Sequence, residues 1–158
     1  MRKTILGLAA VAGFACTATN RDPISLPLGD EVVFAAEVQP YVGLACGSLD
    51  CHGDGGRALQ LFAVYGLREA ADLRTLDIAD TEVTANVASV AALSDSEPSQ
   101  HIALLKALAT SAGGLAHVGG DIWPDADAPG YQCLLAYLEG QSNSNACAQA
   151  LSEVEIEP

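Results

Sequence analysis

The chain is poor in positive charge, in aromatic side chains and in methionine. Seven lysines and arginines stand against 20 aspartates and glutamates, a formal net charge of −13 at pH 7. Nucleic-acid binding needs a basic patch, so no nucleic-acid partner is expected. The acid surplus suits a soluble protein outside the cytoplasm, and solubility alone accounts for it. A basic partner protein is the functional reading of the same charge. Aromatics make up 5% of residues, so a core must come mostly from Val, Leu and Ala. About 110 residues are available to build one, and it will be modest. A large apolar cofactor or a disulfide would help such a chain. HExxH and GxSxG motifs are missing and the carboxylates show no convincing pairing, so the chain is not expected to be an enzyme.

Long apolar runs are missing too, and the short one at the start has a specific reading. Residues 1–15, MRKTILGLAAVAGFA, place Arg2 and Lys3 before an apolar stretch too short to span a bilayer. That pattern is an export signal. The run ends at Cys16. Bacterial lipoproteins are cut just before such a cysteine, which then carries the lipid. Cys16 is therefore the expected mature N-terminus and lipid anchor, holding the protein in the periplasm or at the outer membrane. Ordinary cleavage near Ala15 or Ala18 is the alternative. Removing residues 1–15 leaves Arg21, Arg57, Arg68, Arg74 and Lys106 as the cations.

Residues 17–29, TATNRDPISLPLG, read as a polar tether with two prolines. A domain follows over 30–147, and an acidic tail over 148–158. Asp30 caps a helix beginning EVVFAAEV, with Phe34 and Val38 on one face. Pro40 is expected to kink or break it before Cys46. Residues 57–66 alternate Leu59, Leu61 and Ala63, as a short strand or extended segment would. Residues 81–93 form a helix capped by Thr81, with Val83, Val87, Val90 and Ala91 in one stripe. Residues 96–109 form another, entered through Ser96 and Pro98. The last predicted helix, 131–140, buries Tyr131, Leu134, Leu135 and Leu138 and stops at Gly140. The fold class is all-α, a small domain of about four helices with long loops.

Five cysteines are present. With Cys16 lipidated, Cys46, Cys51, Cys133 and Cys147 remain, and four thiols allow three pairings. Cys133 and Cys147 fit a disulfide tying the last predicted helix to the segment after it. Cys46 and Cys51 stand in CGSLDCHG, with His52 directly after the second. The usual haem-attachment signature is Cys-x-x-Cys-His, and this motif is two residues longer. Haem attachment needs two thiols to add across the porphyrin's vinyl groups and a histidine held under the ring. The Gly47–Asp50 insert can bulge outward and leave Cys51 and His52 in place. Two other readings fit the residues: a Cys46–Cys51 disulfide beside a surface histidine, and a tetrahedral zinc set of Cys46, Cys51, His52 and His117.

The stretch FAAEVQPYVGLACGSLDCHG resembles the c-type cytochromes, most closely the domain of exported planctomycete-type cytochromes. SEPSQHIALLKAL and AHVGGDIW continue the likeness. YQCLLAYLEG is similar to the closing helix of class I cytochromes c. The resemblance covers about residues 31–140, with 57–95 adding little. It implies one covalent haem c, thioether bonds at Cys46 and Cys51, and His52 as proximal iron ligand. Many members of the family supply a methionine as the sixth ligand. The one methionine here is Met1, which leaves with the signal. A distal ligand must then be His117, in the loop before the last predicted helix, or His101, and His117 is preferred. Two histidines give a lower potential than His/Met ligation and favour electron transfer to partner proteins over oxygen chemistry. Trp123 is a candidate for the haem edge or the core. Arg57, Arg68 and Arg74 are candidates for the propionates or for balancing Asp54, Glu69 and Asp72.

Overall fold

The computed structural model describes residues 28–75, 77–93 and 97–154. The export signal, Cys16, Ser96 and nearly all of the tether lie outside them. Leu28 and Gly29 do not: Leu28 packs against the core, and Gly29 N–H donates to Tyr137 O at 2.7 Å. The chain is therefore docked one step before Asp30.

The domain is small and all-α, and no strand forms among the described residues. Helix α1 (Glu31–Val33) starts where Asp30 accepts from the N–H of Val32 at 2.8 Å. It runs through a π turn (Phe34–Val38) into α2 (Gln39–Ala45). Pro40 does not break this rod. Proline lacks an N–H and crowds the carbonyl four residues back. The π turn widens the helix by one residue just ahead of it, with Gln39 N–H bonding back to Phe34 O. The rod thus delivers Cys46 at its end.

Helix α3 (Asp80–Ala91) buries Val83 and Val90. Its cap comes from Glu82, which accepts from the N–H of Ala79 at 3.0 Å, while the Thr81 hydroxyl donates to Glu69. The 57–66 segment forms no strand: it bends over 57–59, makes an isolated bridge from Phe62 to Leu67 and turns at 63–66. The helix expected over 96–109 is shorter, α4 (Ile102–Ala107), because His101 takes the N-cap position and accepts from Ala103 N–H. Helix α5 (Pro129–Leu138) closes as expected on Gly140, whose φ of 75° only glycine adopts easily.

A further helix, α6 (Ser144–Glu153), was not expected from the pattern. Asn143 caps it, Ala150 is buried and Leu151 packs against the core. The acidic tail therefore does not begin at 148. Cys133 and Cys147 form a disulfide that fastens α6 to α5. Replacing both by alanine is expected to lower stability by about 3 kcal/mol in urea unfolding, from the loop the bond closes.

Val, Leu and Ala make up most of the core, as expected, but they do not make it alone. Phe34, Tyr41, Trp123, Tyr131 and Tyr137 are all buried, so the scarce aromatics are concentrated inside. Phe34 meets Tyr137 edge to face at 5.1 Å, joining the first rod to α5. The rod also packs on α6, and α4 lies against α5. These contacts leave a cavity beside the end of α2.

Candidate functional site

That cavity, about 320 Å³, is lined by Cys46, Cys51, His52 and His117 among apolar side chains including Leu59, Leu61, Val90 and Trp123. Its volume is at the lower end of the range for ligand sites.

The motif loop is built on backbone contacts. Cys46 N–H continues the helix to Val42 O, His52 N–H donates to Cys46 O at 2.9 Å, and Gly53 N–H donates to Ser48 O at 2.8 Å. The insert is a closed turn. It presses on the 63–66 turn so tightly that a methyl group on Gly53 or Gly66 would run into the Gly47 carbonyl. Leu61 N–H donates to His52 O at 2.8 Å and anchors the other side.

Both cysteines are free thiols, half-buried. Burial pushes the Cys46 thiol up to about 12, and the nearby Cys51 adds to the shift. Cys46 is therefore a thiol facing an apolar space.

The two histidines come together. Their rings are 5.9 Å apart, centroid to centroid, and nearly parallel at 7°. His52 Nδ1 lies 3.0 Å from Leu59 O, and His117 Nδ1 lies 3.3 Å from Gly120 O. A carbonyl only accepts, so each Nδ1 carries a proton, and in the neutral ring Nε2 is the nitrogen with the lone pair. A backbone carbonyl on Nδ1 is the usual device for fixing a metal-binding imidazole. A methyl group on Gly119 would sit 2.9 Å from His117 Cε1, so that glycine leaves room for the ring.

Comparison with known proteins returns nothing. No protein-family model, no curated protein and no solved structure matches the chain. The site therefore rests on its own geometry.

His101 is not brought to the cavity. It is fully buried, with Nε2 3.1 Å from Val90 O and Nδ1 accepting from Ala103 N–H. Trp123 lines the cavity wall and is also core, donating from Nε1 to Tyr41 Oη at 2.7 Å. Arg68 is committed elsewhere, in a buried ion pair with Glu82 at 2.9 Å. Arg57 donates to backbone carbonyls of the motif loop. Among the described residues no group of three or more His, Cys, Asp or Glu is arranged to hold a metal ion, so the tetrahedral zinc set finds no support. Leu59 O, Gly120 O and Gly119 were not legible as site atoms, because carbonyl partners and ring clearance leave no residue-type signal.

Proposed function

We propose that the chain is an extracytoplasmic electron-transfer protein carrying one c-type haem covalently, with thioether bonds at Cys46 and Cys51 and with His52 and His117 as axial ligands. The observation that carries this reading is the His52–His117 pair across a cavity that also holds both motif cysteines. Both imidazoles line the same cavity with nearly parallel rings, and each has a carbonyl on Nδ1, which leaves Nε2 as the nitrogen that would hold the iron.

Bound haem supplies one-electron chemistry at its iron. The chain's own residues do the rest. Cys46 and Cys51 hold the group in place. Leu59 O and Gly120 O keep both Nδ1 protons where they leave Nε2 free. Apolar side chains from α2, α3 and α4 line the space it would occupy. A histidine on each side leaves no open position, which favours electron transfer over oxygen or peroxide chemistry, at a potential below that of His/Met ligation. The engaged ring of His101 supports His117 as the distal ligand. The proposal includes export, a lipid on Cys16, and redox partner proteins whose basic surface complements the acid surplus; the leader sequence and the charge support these parts.

The test is the full chain, made in a host with haem-attachment machinery, studied by pyridine haemochrome spectrum and intact mass. The wild type should gain the mass of one haem. His52→Ala should lose it. His117→Ala should keep the haem and turn high-spin. A wild type without a Soret band, and with Cys46 and Cys51 joined by a disulfide, would replace this reading with a haem-free binding or structural lipoprotein. An unchanged low-spin spectrum in His117→Ala would move the distal ligand to His101.

A further inference from the structure

Cations are scarce here, and Arg57, Arg68 and Lys106 all donate to backbone carbonyls. Arg68 reaches Leu73 O and Asp77 O besides Glu82. Arg57 donates from Nε to Cys51 O at 3.1 Å and from Nη2 to Asp50 O at 2.9 Å. Lys106 donates from Nζ to Ala116 O at 2.7 Å. The last two share a feature. Cys51 immediately precedes His52, and Ala116 immediately precedes His117. Each cation holds the carbonyl of the peptide group that enters a cavity histidine.

We propose that Arg57 and Lys106 are positioning residues for the His52–His117 pair, each fixing the loop that carries one imidazole. The link is short. The peptide after Cys51 or Ala116 sets the backbone direction of the histidine, and through it whether Nδ1 meets its carbonyl. Charge-assisted bonds to carbonyls are stronger than neutral ones. They matter most where the loop has no helix or sheet ladder to hold it. Loop 46–53 carries a four-residue insert between its cysteines, and loop 113–122 carries four glycines. Arg57 takes two successive carbonyls with the fixed fork of its guanidinium, which a lysine ammonium cannot reproduce. In a chain with 20 acids, both of these surface cations bond to the loops that carry the cavity histidines.

This inference deepens the haem reading, but its first test does not depend on haem. In the haem-free full chain, long-range proton–nitrogen NMR reports the tautomer of each histidine. Arg57→Gln should lose the single-tautomer pattern of His52 and keep that of His117. Lys106→Gln should do the reverse. Lys106→Arg should restore His117, whereas Arg57→Lys should restore His52 incompletely. In the haem-loaded chain, Lys106→Gln should show an increased high-spin fraction with covalent haem intact. The proposal is overturned if both glutamine variants leave both tautomers unchanged, or if each disturbs the two histidines equally, as general loosening would. If the wild type takes no haem while the tautomer results come out as stated, the electron-transfer reading falls and this one stands.

Discussion

Glu82→Gln is expected to destabilise the domain by about 3–5 kcal/mol, the usual result of breaking a buried ion pair from one side. Glu82 and Arg68 have side chains 0% and 1% exposed. Both carboxylate oxygens accept from Arg68, and they also accept from the N–H groups of Glu69 and Ala79. The amide can replace only part of this set, and the guanidinium stays buried without its counter-charge. A whole domain is stable by only about 5–15 kcal/mol, so urea unfolding should show a large fall in midpoint. The acid limb follows the same group. Burial alone would raise the Glu82 carboxyl; the hydrogen bonds from Arg68, Glu69 and Ala79 and the charge of Arg68 overcome it and hold the group below its ordinary 4.5. A depressed folded value means the contribution is complete above the unfolded value and is lost as pH falls through the folded one. Wild-type stability should therefore drop with acid below the ordinary glutamate range. Glu82→Gln should lose that part of the slope.

Gly66→Ala is expected to cost about 3 kcal/mol, the upper end of the range for overpacking. The added methyl would meet the carbonyl oxygen of Gly47, and backbone faces it from Gly53 as well. No side chain is there to swing away, so either the 63–66 turn or the cysteine loop must move. The insert between Cys46 and Cys51 would lose its floor and the thermal midpoint should fall; on the proposed haem reading, loading should fall with it. Gly55→Ala is the internal comparison. Its added methyl finds nothing nearer than Leu67 Cδ1 at 4.0 Å, and neither stability nor loading should change.

Much of the fold was legible because the signals are local. Asp30 begins its helix, Gly140 ends another, and Tyr131, Leu134 and Leu138 lie on the buried side of α5. Helix α6 was missed because the residues of SNACAQALSE that recur on its buried face, Ala146, Cys147, Ala150 and Leu151, are mostly small; a cap and a disulfide hold it besides these contacts. Thr81 was the natural cap for α3 by residue type, but Glu82 reaches back to Ala79 and also serves Arg68, and long-range pairing outweighs local preference. At the site, the motif and His117 were legible by residue type and position. The partners that orient the rings were not. Carbonyls carry no sequence label, and Arg57 and Lys106 act six and ten residues from their acceptors.

The two pairs of cysteines set a sorting problem during maturation. On the proposed reading of an exported haem protein, one pair must be oxidised and the other kept reduced where thiols are readily oxidised. Sequence distance alone favours the wrong outcome, because Cys46 and Cys51 are nearer neighbours than Cys133 and Cys147. Chemistry favours the right one. Disulfide exchange runs through the thiolate, and a thiol near 12, as at Cys46, almost never presents one. The folded cavity thus withholds the Cys46 sulfur from exchange, while the bond between α5 and α6 is sealed in the core.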